Sequence, residues 1–229
     1  MSRKRQVGGG GVAVEVEPER LERWFTRFAE RNDGIRSTVP GAEEVVVTGG
    51  EGTTATARVP FPPLVAPDQQ DPPEGSVVEW LIEHARTPRR IGLVLVRKGA
   101  HSVGVALDGT VEVSRTDRHH VQGRSAAGGW SQQRFARRRA GQARQALRSA
   151  ADDVADVLTG RLADLDAVVL GGDRQALDEL RADRRLEPVF ALATPRVLDI
   201  AEPRRTVLDE AAHRARAVEI VVRPAATGR

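Results

Sequence analysis

The residues best placed to do chemistry form one run, Gly128-Gly129-Trp130-Ser131-Gln132-Gln133-Arg134-Phe135-Ala136-Arg137-Arg138-Arg139. Two adjacent glycines allow positive φ and a close approach of the backbone to a ligand. Two side-chain amides follow, then a cationic helix start. From Arg118 to Ala151 the chain carries Arg118, Arg124, Arg134, Arg137, Arg138, Arg139, Arg144 and Arg148, and neither Asp nor Glu. Such a block creates a local positive field that favours phosphate backbones. The same run reads equally well as a solvated helix face, and a double glycine by itself marks many ordinary turns. His119, His120 and Gln122 lie at the base of the loop and read as its supports.

Other chemistries are narrowed by composition. The chain has no Cys, which removes disulfides, thiolate zinc sites and thiol catalysis. Its five His include no pair at helical metal-ligand spacing, and neighbours His119 and His120 would face opposite ways in a strand. No metal ligand set and no cofactor motif is expected. Gly8–Gly11 lacks the GK[ST] continuation of a phosphate loop. Asp152, Asp153 and Asp156 lie together at ordinary surface spacing, so a metal-dependent nuclease is the least favoured reading. No apolar stretch reaches the roughly 18 residues of a membrane span, and MSRKRQVGGGG lacks an apolar core of signal-peptide type. A cytoplasmic protein is expected. The net charge is only +3, with Lys at Lys4 and Lys98 alone, so the arrangement of arginine matters more than its sum.

The elements that must position this run are legible from periodicity. Residues 1–11 read as a flexible basic tail, and 12–87 as a small α+β region. That region has a strand at Val12–Val16 and a helix from Pro18 to Glu30 with Leu21, Trp24, Phe25 and Phe28 on one face. Asn32-Asp33-Gly34 makes a turn. A hairpin follows from Glu44–Thr48 and Thr53–Pro60 around Gly49–Gly52, then a Pro-rich connector and a helix at Val77–Ala85. Residues 88–224 read as a second domain, with 225–229 as a tail. Arg90–Arg97, His101–Leu107 and Thr110–Arg115 predict an antiparallel meander turning at Asp108-Gly109. After the loop at Thr116–Gly129 a long helix is predicted from about Ser131 to about Thr159, with Phe135, Ala143, Leu147, Ala150, Val154 and Leu158 as its apolar stripe. A strand at Asp166–Leu170, a helix around Leu177, a helix at about Pro203–Arg216 and a closing strand at Ala217–Val222 complete the domain. The pattern predicts a layered α+β or α/β architecture, a mixed sheet with flanking helices.

The central run resembles the catalytic loop of eukaryotic and archaeal class-one peptide-release factors. Ser131, Arg134, Phe135, Ala136, Arg137 and Arg139 stand at matching places. The strand meander before the loop, the basic helix after it, and Ala167–Gly172 agree with that family's middle domain from about Arg90 to Val222. The resemblance implies an RNase H-like middle-domain fold. Trp130 occupies the place of the family's catalytic Gln. The shifted pattern Gly-x-x-Gln, met by Gly129-Trp130-Ser131-Gln132, is similar to that of the release-factor-like peptidyl-tRNA hydrolases of ribosome quality control, in their stand-alone actinobacterial form.

This resemblance implies hydrolysis of the ester between a nascent peptide and the tRNA 3′ adenosine. It implies the large ribosomal subunit, rRNA and peptidyl-tRNA as partners. Gln is neither acid nor base near neutral pH. Its amide can hold a water and donate to developing negative charge, an effect of order 3 kcal/mol for one well-placed donor. The substrate's own 2′-hydroxyl can handle the proton. Gln132 is favoured by spacing over Gln133. Gly128 and Gly129 would let the loop enter a narrow centre. Arg124, Arg134, Arg137, Arg138 and Arg139 would meet RNA phosphates. Trp130 either stacks on an unpaired base or packs the loop onto its domain. The alternative function is a non-catalytic ribosome- or tRNA-binding module derived from a release factor.

Overall fold

The computed structural model describes residues 4–65, 76–97, 99–118 and 130–225, with side chains throughout except at 130–136, 138 and 139. In chain order the elements begin with β1 (Lys4–Val7), β2 (Gly11–Val16), α1 (Leu21–Arg31), β3 (Ile35–Val39), β4 (Glu44–Gly49), β5 (Thr54–Arg58) and α2 (Ser76–Arg86). They continue with β6 (Arg90–Arg97), β7 (Ala100–Leu107), β8 (Thr110–Arg118), α3 (Trp130–Leu158), β9 (Ala167–Gly172) and α4 (Arg174–Arg181). The last are α5 (Glu187–Ala191), β10 (Ala193–Leu198), α6 (Arg205–Arg216) and β11 (Val218–Arg223). The chain forms two compact units, Met1–Pro88 with Arg216–Arg229, and Arg89–Ala215.

The first unit is a six-stranded sheet in the order β1-β2-β11-β5-β4-β3, antiparallel at every pairing. Burial alternates along β4 and β5, as a sheet covered on one face requires. Val45, Val47, Ala55, Ala57 and Ile220 share a core with Leu21, Phe25 and Phe28 of α1 and Val77, Leu81 and Ala85 of α2. Trp24 stacks on Phe28 at 5.6 Å and meets Phe25 edge-on at 5.0 Å. The aromatic stripe is therefore core. His84 Nε2 lies 2.8 Å from the Pro60 carbonyl oxygen, a packed histidine.

Two expectations are corrected here. Residues 1–11 are not wholly a free tail: Lys4–Val7 pairs with Gly11–Val14 across a glycine turn. Gly9 and Gly10 at φ +78° and +75° supply the left-handed backbone that a tight hairpin needs. The closing strand, expected in the second domain, lies instead between β2 and β5. There Glu219 takes Arg5 at 2.8 Å and Arg58 at 3.2 Å. Strand polarity alone does not name a partner, and this one is paired far from its neighbours in sequence.

The second unit is a mixed five-stranded sheet in the order β10-β9-β6-β7-β8. The predicted meander is present, with β6, β7 and β8 antiparallel. Asp108 and Gly109 turn at φ +49° and +84°. Strands β9 and β10 add in parallel beside β6, which makes β6 an interior strand, and it is buried on both faces. Val94, Val96, Val103 and Val105 pack on Ala150, Val154 and Leu158 of α3 and on Leu177 and Leu180 of α4. On the opposite face Leu208 of α6 sits over Gly104, where a Cβ would come within 2.9 Å of it. This is the mixed sheet with flanking helices expected of an RNase H-like middle domain. Sequence reading passed over β10 because Pro195 interrupts it. As an edge strand β10 tolerates a missing donor.

Candidate functional site

Helix α3 holds most of the candidate residues and is built in two parts. At 29 residues and 1.5 Å per residue it is about 43 Å long. Its second half is fixed in the domain. Ala146, Ala150, Ala151, Val154, Val157 and Leu158 are buried. Among the described side chains of residues 130–145, none is buried. Among its described side chains the half that bears the cationic run puts none in the core, whereas the other half is anchored.

The anchor is also polar. His101 of β7, 1 % exposed, places Nε2 2.8 Å from Asp153 Oδ2 of α3. Arg115 of β8 donates to Asp153 Oδ1 at 3.1 Å and to Asp156 Oδ2 at 2.7 Å. Ser149 Oγ donates to Asp117 Oδ2 at 3.4 Å. Burial pushes the Asp153 carboxyl upward, but hydrogen bonds from His101 and Arg115 outweigh it and hold the group below the ordinary carboxylate range. The Arg115 guanidinium is raised, first by its hydrogen bond to Asp153 and then by Asp156. Asp152 pairs with Arg185 at 2.9 Å.

These pairings bear on the nuclease reading. Asp152 answers to Arg185, Asp153 to His101 and Arg115, and Asp156 to Arg115. Among the described residues no group of three or more His, Asp or Glu is placed to hold a metal ion.

The expected site residues fall into three groups. Arg124, Gly128 and Gly129, with His119, His120 and Gln122, lie outside the described residues. Trp130, Gln132, Gln133 and Arg134 are in the first two turns of α3, described by backbone alone, and so are Arg138 and Arg139 further along. Successive helical positions are about 100° apart, so positions 132 and 133 do not share a face. Arg137 is exposed. Arg144 and Arg148 lie on the same helix, and their spacing of seven and eleven residues from Arg137 puts all three on one face. The helix N-terminus adds its own partial positive charge to this acid-free stretch.

Sequence reasoning missed the supports. His101 sits in an apolar strand run with nothing local to pair it with Asp153. Arg115 gave no signal beyond its charge. Arg144 and Arg148 were visible in the basic block, and helical phase alone would have aligned them with Arg137.

No curated protein matches the chain. Among solved structures it is similar to an archaeal translation termination factor, aRF1, at 13 % identity and a TM-score of 0.44, covering 90 % of this chain and 64 % of that one. It is similar to S. cerevisiae Dom34, a translation termination-like factor, at 9 % identity and a TM-score of 0.33, covering 92 % and 65 %. For Archaeoglobus fulgidus Pelota the values are 14 %, 0.28, 93 % and 64 %. The chain thus spans just under two thirds of the length of these proteins. The family model for acVLRF1, the Actinobacteria/chloroflexi VLRF1 release factor, matches residues 89–221. With more than half of its length matched, including the meander, the cationic run and all of α3, the chain belongs to the actinobacterial and chloroflexi VLRF1 release-factor family.

Proposed function

We propose that this protein is a peptidyl-tRNA hydrolase that frees nascent chains from stalled ribosomes or 50S subunits in the cytoplasm. Family membership supports the reaction class. The observation that carries it to this region is the two-part helix: an acid-free, arginine-rich N-terminal half continuing from an anchored base. In this reading Arg134, Arg137, Arg138 and Arg139 meet rRNA or tRNA phosphates, joined by Arg124 from the preceding loop.

Gln132 holds a water against the ester carbonyl carbon. The water oxygen bonds to that carbon, and the bond from the carbon to the tRNA 3′ oxygen breaks. One proton of the water reaches the leaving oxygen through the neighbouring 2′-hydroxyl and the other passes to solvent, giving a free peptide carboxylate and a 3′-hydroxyl end. No protein acid or base is required, in keeping with a Gln at the reacting centre. Gly128 and Gly129 give the loop its close approach, and Gln133 is the second candidate for the water.

One observation favours a second reading. Trp130 directly follows the glycine pair, where release factors carry Gln, so the chain could have kept docking and lost hydrolysis. Purified 50S–peptidyl-tRNA complexes separate the two. Hydrolysis predicts peptide release by the wild type at substoichiometric protein. Binding to the complex with no release at any concentration would establish the docking module instead.

A further inference from the structure

The first unit contains a cleft that the hydrolase reading does not use. It lies between α1 and α2 and has a volume of about 610 Å³, within the roughly 300–1,000 Å³ of ligand clefts. Its floor is apolar: Phe25, Ala29, Ile35, Val78 and Ile82. Its rim is acidic, with Glu22, Glu79 and Glu83 against the single cation Arg86. That cation is already engaged, since Arg86 Nη2 reaches Glu22 Oε2 at 3.3 Å and closes one end of the rim.

Glu79 and Glu83 are different. They stand four residues apart on α2, both exposed, and neither has a cationic partner among the described residues. Like charges at that helical spacing repel. A ligand bringing positive charge removes the repulsion, and one bringing phosphate increases it.

We propose that this cleft docks a cationic amphipathic segment of a partner protein. Aliphatic side chains of the segment enter the floor, and its Lys or Arg side chains oppose Glu79 and Glu83. An amphipathic segment with apolar anchors and flanking charge is a common occupant of such grooves. Nucleic acid is disfavoured by the rim. The cleft and the cationic run on α3 are thereby assigned opposite ligands, an electropositive protein and an anionic RNA. This inference does not depend on the hydrolase reading.

The test uses the isotope-labelled full chain and two synthetic amphipathic helical peptides, one with leucine and lysine faces and one with leucine and glutamate faces, together with polyuridylate RNA. The lysine peptide is expected to shift the amides of Ala29, Ile35, Glu79 and Ile82. The exposed double substitution Glu79→Lys with Glu83→Lys should weaken that binding roughly tenfold or more and confer binding of the glutamate peptide. Three results would overturn the proposal: affinity indifferent to the double substitution, peptide shifts confined to residues outside the cleft, or RNA shifting the cleft residues.

Discussion

Replacing Asp153 by Ala probes the support on which the site depends. The carboxylate accepts from His101 Nε2 at 2.8 Å, and that ring is 1 % exposed, so removing the carboxylate takes away the side-chain partner of a buried ring nitrogen. A hydrogen bond involving a charged group contributes about 1.5–3 kcal/mol, and the stranded buried nitrogen accounts for much of the cost. Arg115 is solvent-exposed and keeps Asp156 at 2.7 Å, so its loss adds little. The expected destabilisation is therefore about 1.5–3 kcal/mol, a large share of a typical stability of about 5–15 kcal/mol. Native-state amide exchange of β6 and β7 reads this in the second unit by itself. The pH dependence gives a second signature. The folded carboxyl titrates below its ordinary value, so its stabilisation is complete above about pH 4 and is lost as pH falls through the lower folded value. Asp153→Ala should flatten stability across that acidic window. A change below about 0.5 kcal/mol at neutral pH, within the range of an ordinary surface substitution, would refute the clamp.

Other perturbations follow from the same geometry. Gly172 has φ +104°, and a Cβ there would collide with the Val96 carbonyl oxygen; Gly172→Ala should cost at least about 2 kcal/mol, seen as a lowered Tm. Replacing Arg137, Arg144 and Arg148 together by Ala should weaken 50S binding without altering circular dichroism. It should also make binding less sensitive to salt, reducing the slope by roughly 0.7 for each phosphate no longer neutralised on single-stranded RNA. Glu219 is only 11 % exposed and holds Arg5 and Arg58; Glu219→Gln should cost the first unit about 1 kcal/mol, followed in urea through Trp24 and Trp80 fluorescence.

Local chemistry made most of the second unit legible. Alternating and continuous apolar runs, with Asp108-Gly109 between them, were enough to specify the meander, and the 3.6-residue stripe from Phe135 to Leu158 predicted α3. What escaped was pairing. Lys-Arg-Gln-Val has no apolar alternation, so β1 is recognisable only once β2 offers it hydrogen bonds. Pro195 disguised an edge strand. Val218–Arg223 reads as a strand, but its place in one sheet or the other depends on β2 and β5, far away in sequence. The site divided in the same way. The cationic run is local and was found by composition, whereas His101 meets Asp153 across 52 positions, a distance over which no local pattern carries information.

The identity of the reacting side chain is the claim on which the account turns. Single-turnover peptide release from 50S–peptidyl-tRNA should be compared among wild type, Gln132→Ala and Gln133→Ala, with binding to the same complexes measured in parallel. Gln132→Ala is expected to lose release by about a hundredfold or more, the scale of one lost transition-state donor, while binding is retained and Gln133→Ala releases normally. Undiminished release by Gln132→Ala, with Gln133 also replaced, would contradict it.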